Sequence, residues 1–411
     1  MTQGGEKTIV VWAKFRPAAE DGGNPSCVSH VSPTSVQVAP QASALKTERR
    51  KAFVFNFDRT LDQSVTQEDV FEHGLPAVID QAFLGRSVLV STYGQTGSGK
   101  TYTMCGDLEP GGRDAGILPR AVQYCFDRSR EVSIQVQMLE IYNEELRDLL
   151  CSDNPSPKRL QICNDRKFGT TVPGLHLAPA SEASEALACI RQGIERRRTS
   201  ETKVNKASSR SHVLCFLVLS DAVSGEVISR IGMCDLAGSE RQNKTGTSGH
   251  KLKEGGSINR SLSALERVVS GIHDYQKQKQ KGSMSHVNFR DSKLTRILQP
   301  FLSGRGSSVF ILCVSALPGN AHETLNTMKF GQRLQGISQQ PFVLQVAPAS
   351  PMSGTHRRNL EAEFAAAGAG DRQKQERDQA FARLLARECA WSLLSFVLYS
   401  SLSGAFRALW S

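Results

Sequence analysis

The chain has 411 residues, enough for one large domain or two to three ordinary ones. Hydrophobic residues make up 39% and charged residues 22%, which excludes a disordered or fibrous chain. A formal net charge of +10 suits an acidic partner: a protein surface, a nucleic acid or an anionic membrane. The ten cysteines form no CxxC pair. Cys215, Cys234 and Cys313 sit inside apolar runs, so reduced, buried thiols of a cytosolic protein are expected. The opening "MTQGGEKTIVVWAKFRP" has no apolar h-region, so no secretory signal is read there.

In chain order, "IVVWAKFRP" (9–17) predicts a first strand. "VTQEDVFEHGLPAVIDQAF" (65–83) follows a helical pattern, and "SVLVSTY" (87–93) is a second apolar strand. Further strands are expected at "VSIQVQMLEIYN", "VLCFLVLSD", "VISRIGMCDLA" and "SSVFILCVSAL", with a helix at "SINRSLSALERVVSGIHDY". Strands alternating with helices predict an α/β sandwich, and runs that are apolar throughout fit a sheet covered on both faces. Composition changes near residue 340. The expected organisation is one domain over 1–340, a Pro/Ser/Ala-rich linker over 341–370 and a short tail over 371–411, helical in part or partly disordered. "DRQKQERDQAFARLLARE" is too short to sustain coiled-coil heptads, so a monomer is expected. The uncharged end 389–406 has borderline length for a membrane span, and its many serines count against one.

"GQTGSGKT" (94–101) fits G-x-x-x-x-G-K-[ST] between an apolar strand and a helical start. Glycines let backbone N–H groups turn inward around a phosphate, and the helix N-terminus adds its positive dipole end. Lys100 would neutralise β- and γ-phosphates, and Thr101 would offer its hydroxyl to Mg²⁺. "DLAGSE" (235–240) puts Asp235 at a strand end, placed to hold Mg²⁺ through water, and Gly238 where its N–H can meet a γ-phosphate. "NKASSRSH" (205–212) sets Ser208 and Ser209 to reach γ-phosphate and Mg²⁺, and Arg210 to pair with a carboxylate.

"YGQTGSGKT", "NKASSRSH" and "DLAGSE" together resemble the three nucleotide-sensing motifs of the kinesin motor domain. "FNFDRTLDQSVTQEDVF", "LEIYNEELRDLL", "SINRSLSALERVV", "FRDSKLTRILQ" and "ETLNTMKFGQRL" are similar to further segments of that family, from about residue 7 to about 338. The resemblance implies a three-layer P-loop NTPase fold with a central, mostly parallel sheet. It implies ATP and Mg²⁺ as cofactors and microtubules as partner, with a cytoplasmic, cytoskeletal location and plus-end movement for a motor of this type. Gly94, Gln95, Thr96, Gly97, Ser98, Gly99, Lys100 and Thr101 would bind the triphosphate. Ser208 and Ser209 would belong to switch I, with Ser209 and Thr101 on the metal. Asp235 and Gly238 would sense the γ-phosphate from switch II. An Arg210–Glu240 salt bridge would close the site, and Glu240 would relay a proton through a second water.

Where the family has RxRP, this chain reads "KFRP", so Lys14 cannot stack on adenine as an arginine does, and weaker ATP binding is expected. Arg16, Pro17 and Tyr93 are expected to sandwich the base. Lys277, Lys279, Lys281, Arg290, Lys293 and Arg296 are the expected microtubule contacts. The glycine common after "SLSAL" is Glu266, expected on the tubulin-facing helix, where an acid would weaken binding. "RQGIERRR" (191–198) reads as a helix end with its cations near the C-terminus. In the linker, "ISQQPFVLQ" puts Pro341 and Leu344 where a docking segment would need a donor and an asparagine latch. A non-motile microtubule-binding module is the alternative reading. A nucleic-acid ATPase is disfavoured because no stacking aromatics interleave with the basic clusters.

Overall fold

The computed structural model describes residues 9–16, 26–39, 52–108, 112–129, 132–151, 160–202, 210–240, 250–279, 287–304 and 306–337. The chain divides into the units Met1–Leu344 and Gln345–Ser411, and all described residues belong to the first. The expectations for the linker and the 389–406 segment therefore lie outside the described residues.

In chain order the strands are β1 (Ile9–Arg16), β2 (Val28–Ser32), β3 (Ser35–Val38), β4 (Phe53–Asn56), β5 (Arg59–Leu61), β6 (Val88–Tyr93), β7 (Val132–Tyr142), β8 (Glu145–Asp148), β9 (Cys163–Asp165), β10 (Gly169–Thr171), β11 (Ala178–Ala180), β12 (Ser211–Asp221), β13 (Val227–Asp235) and β14 (Ser307–Ser315). The helices are α1 (Gln67–Glu72), α2 (Leu75–Phe83), α3 (Lys100–Met104), α4 (Ile117–Arg128), α5 (Ala183–Thr202), α6 (His250–Lys279), α7 (Lys293–Leu302) and α8 (Ala321–Gln335).

The main sheet runs β11-β7-β12-β13-β6-β14-β1-β5, with β8 on β7. It is parallel from β13 through β6, β14 and β1 to β5, and antiparallel from β13 through β12 and β7 to β11. The central strands are buried at every position of β6 and β14, which explains their unbroken apolar runs. One face of the sheet packs on α6, α7 and α8 through Leu265, Leu294, Phe310 and Phe330. The other packs on α2, α4 and α5 through Ile79, Val122, Leu187 and Val309. This gives the three layers expected. Cys215, Cys234 and Cys313 are buried free thiols, and burial raises each thiol's pKa. Among the described residues no helix is long and apolar enough to cross a membrane.

The single helix expected over 65–83 is two. Thr66 and Asp69 form a reciprocal capping box that starts α1. Gly74, at φ 140°, then breaks the run and opens α2 with Pro76 in its first turn. The basic run 191–198 is not a helix end, since α5 continues to Thr202. Arg196 donates to the carbonyls of Leu149 and Leu150, and Arg197 reaches buried Glu140 and the Ser211 hydroxyl.

His212 on β12 joins three pieces of the fold. Its Nδ1 accepts from the Ala237 N–H at 3.0 Å, which places the proton on Nε2, and Nε2 donates to the Ser261 hydroxyl of α6 at 2.8 Å. Burial, then Arg197 and Lys100, lower its pKa to about 3. The imidazole is therefore neutral in the folded state across ordinary pH.

Two outcomes are expected. Gly74→Ala forces a Cβ residue into a conformation that costs about 1–3 kcal/mol, so the denaturant midpoint falls; an unchanged midpoint would show that the break tolerates a side chain. His212 is ordinarily half-protonated near pH 6.5, so between that value and about 3 the unfolded chain holds a proton that the folded chain refuses. Stability is then lost as pH falls through that window, by up to roughly 1.4 kcal/mol per pH unit. Unfolding free energies across pH 7 to 4 should fall more steeply for the wild type than for His212→Asn, and parallel curves would remove the assignment.

Candidate nucleotide site

The cradle hangs where β6 gives way to α3. Gly94 sits at φ 150°, and a Cβ there would lie 2.1 Å from the Cys313 carbonyl oxygen, so only glycine lets the loop leave β6 beside β14. Gly97 (φ 78°) and Gly99 (φ 93°) complete the turn, and Gly99 is the N-cap of α3. Lys100 is buried and donates to the Gln95 carbonyl at 2.8 Å, closing the loop on itself. Burial lowers its pKa, while Asp235 opposes that shift and favours the charged form.

Asp235 ends β13 within this cluster. Its two carboxylate oxygens accept from Thr101 at 2.6 Å and Thr92 at 3.1 Å. The residues present fit a polyphosphate with a divalent cation. The Ser98 hydroxyl and the Gln95 side-chain carbonyl are buried with no hydrogen-bond partner among the described residues. Thr101 and Asp235 offer hard oxygen donors of the kind Mg²⁺ takes.

The loop after β13 lies on the cradle. The Ser239 N–H donates to the Gly94 carbonyl at 3.0 Å. Glu240 accepts from the Thr96 N–H at 2.7 Å and from the Thr96 hydroxyl. Gly238 packs beneath this contact, where a Cβ would meet Thr96 and both Glu240 oxygens at 2.3–2.6 Å. The Glu240 carboxylate thus stands at Thr96, a donor of the cradle. Arg210 is half-buried at the start of β12. Ser208, Ser209 and Pro17 lie outside the described residues.

The base side differs from expectation. Arg16 donates to the Gly97 carbonyl at 2.6 Å and so borders the cradle. Tyr93 cannot sandwich a base. Its ring is 2% exposed and stacks on Phe330 of α8 with centroids 4.0 Å apart, on the far side of the sheet from α3. The aromatic at the cradle's edge is Tyr102 of α3, 48% exposed, with the Lys14 ammonium 5.7 Å from its ring centre. Sequence reading missed it because the helical run "TYTM" gives no signal separating an outward ring from a packed one.

The basic elements diverge likewise. Lys277 and Lys279 fall on the last turn of α6, and Lys281 lies outside the described residues. Arg290 is exposed on the short turn before α7, and Arg267 of α6 pairs with Asp291 there at 3.1 Å. Lys293 begins α7, its N–H taken by Glu144. Arg296 is not available as a simple surface cation: its guanidinium donates to the Ile162 carbonyl at 2.9 Å and fastens α7 to the 160–171 segment. Glu266 does not face outward from α6. It accepts from the Tyr93 hydroxyl and lines a cavity against α8.

The kinesin motor domain family matches residues 14–337. The chromosome-associated kinesin KIF4 of Mus musculus is 37% identical over 301 residues, 70% of this chain and 24% of its own length. Kinesin-like protein 3 of Schizosaccharomyces pombe is 40% identical over 298 residues, 70% of this chain and 52% of its own. The chain thus spans only about a quarter to a half of the length of these curated relatives. A solved structure of a fast kinesin covers 84% of this chain and 97% of its own, with a TM-score of 0.71 and 33% identity. With the cradle, the Asp235 strand end and the loop that lies across them in one site, the chain belongs to the kinesin motor domain family.

Proposed function

We propose that the chain is a microtubule-stimulated ATPase that converts ATP hydrolysis into force along microtubules, acting in the cytoplasm on the cytoskeleton. The observation that carries the reading is the contact of the 236–240 loop with the cradle through Ser239–Gly94 and Glu240–Thr96. In this reading the loop is a neighbour of the cradle that shifts with what the cradle holds.

Lys100 and the cradle N–H groups would take the phosphates, and Thr101 with Asp235 would hold Mg²⁺, which withdraws charge from the phosphates and orients them. Arg16 and Tyr102 would border the base. Glu240 leaves Thr96 for Arg210 when the loop closes, excluding bulk water, and then accepts the proton passed from the attacking water. Ser208 and Ser209 complete the site in this reading. Lys277, Lys279, Lys281, Arg290 and Lys293 would form the basic surface for acidic tubulin, an attraction that at physiological salt acts over about 8 Å. The linker follows α8, the placement that goes with plus-end movement in the resembled motors. Pro341 and Leu344 weaken its docking, so sustained single-molecule runs are not expected.

Steady-state ATPase with and without polymerised tubulin tests the function, and stimulation by the polymer is expected. The same rate in both conditions would reduce the protein to a nucleotide-holding module. Glu240→Ala should still bind ATP and microtubules but lose most stimulated turnover, by about 10²-fold or more, as for a positioned proton acceptor. Near-normal turnover would remove Glu240 from the chemistry. Tyr102→Ala should raise the KM for ATP with little change in kcat, because it removes binding made equally in ground and transition states. An unchanged KM would move the base elsewhere.

A further inference from the structure

Tyr93 is the last residue of β6, directly before Gly94, yet its side chain reaches three other parts of the motor. The ring stacks on Phe330 of α8 at 4.0 Å with planes 21° apart. The hydroxyl donates to Glu266 of α6 at 3.2 Å. Ser239, whose N–H is bonded to the Gly94 carbonyl, lines the same cavity as Tyr93 and Glu266, together with Asn326, Lys329 and Arg333 of α8. A glycine at 266, as in the family pattern, would leave the phenol without this acceptor.

We propose that Glu266 is a positioning residue which, through the Tyr93 hydroxyl, ties α6 to the root of the phosphate cradle and restrains α6 and the 236–240 loop in the resting arrangement. The carboxylate is seated for that role. It projects from α6 toward α8, not toward solvent, and shares the cavity with the cations of Lys329 and Arg333. Burial, then Glu266, raise the phenol's pKa well above its ordinary value, so Tyr93 keeps its proton and stays a donor at any working pH. A second tie lies about one and a half turns earlier on the same helix, where Ser261 accepts from His212. These two contacts hold the middle of α6 to β12 and β6. Glu266 supplies the one that ends on the residue before Gly94.

The inference rests on the ATPase reading, and its test separates the two. Tyr93→Phe, Glu266→Ala, Glu266→Gln and the double variant Tyr93→Phe/Glu266→Ala are compared with the wild type by release of a fluorescent ADP, with and without microtubules. Tyr93→Phe keeps the stacked ring and removes one atom, so it tests the tie even if Glu266→Ala fails to fold. Loss of the bond should speed basal ADP release by about two- to tenfold, the change one net hydrogen bond makes in an equilibrium. The ratio of stimulated to basal release should drop correspondingly. Glu266→Gln, which keeps a carbonyl acceptor, should restore most of the ratio, and the double variant should match the single ones, because both remove the same bond. Wild-type basal rates in Tyr93→Phe, Gln no better than Ala, or effects that multiply in the double variant would each overturn the role. If microtubules do not accelerate the wild type, the proposed function fails, while the basal arm still decides the tie.

Discussion

The site depends on the close approach of β6 and β14 at their ends. They are parallel neighbours, and Gly94 turns away where β14 presents the Cys313 carbonyl within 2.1 Å of any Cβ. Absence of a side chain at one residue therefore sets the path of the whole cradle. From there Gly97 and Gly99 need only provide positive φ, and α3 can begin with its N–H groups and Lys100 converging on one point. The β13 end reaches that point because β13 is the other parallel neighbour of β6, pairing Asp235 with Thr92. The parallel half of the sheet thus brings the 94–101 loop, Asp235 and the 236–240 loop together by strand order alone.

The antiparallel half does different work. β12 begins at Ser211 and runs between β13 and β7, so a residue near its start can touch both the loop after β13 and α6. His212 does so, with one nitrogen on the Ala237 backbone and the other on α6. Next to it, Arg197 of α5 reaches Ser211 and Glu140, the latter also 3.6 Å from Arg147. A carboxylate that is 3% exposed beside two guanidiniums is compensated charge, and removing it would leave the buried Arg197 without that pair. Basic residues that look like a surface patch in the sequence are here internal fasteners.

That difference marks how far the sequence was readable. Gly94 to Thr101, Asp235 and Gly238 could be found because their spacing is dictated by phosphate geometry and by a loop crossing at contact distance. Main strands could be found because burial on both faces leaves unbroken apolar runs. Direction of a side chain out of a helix could not. Glu266 and Tyr102 each sit in a helical run whose period is clear, yet whether they point at solvent, at α8 or at the cradle depends on how helices cross, a property of the packed layers. Tyr93 was misplaced for a related reason. Successive strand residues face opposite sides, and only its packing on Phe330 shows that its side is the one covered by α8. The split of 65–83 was foreshadowed by Gly74, but a glycine inside a helical pattern is ordinarily tolerated at a cost of about 1 kcal/mol, so the break needed the backbone angle.

Placement of charge completes the physical picture. The net charge of +10 does not describe the working surface, since Arg196, Arg197 and Arg296 donate to carbonyls or carboxylates of the core. Described cations that remain outward near the end of α6 and the start of α7 are few: Arg290 is exposed, and Arg267 is already paired with Asp291. Arg290 and the Arg267–Asp291 pair lie beside the later part of α6, while the middle of that helix meets His212 through Ser261 and Tyr93 through Glu266. A helix held at two points near its middle transmits a shift at one end as rotation about those points. In the proposed role of Glu266, the strength of these holding contacts sets how much of a displacement of α6 reaches the 236–240 loop, so a carboxylate at position 266 acts on coupling.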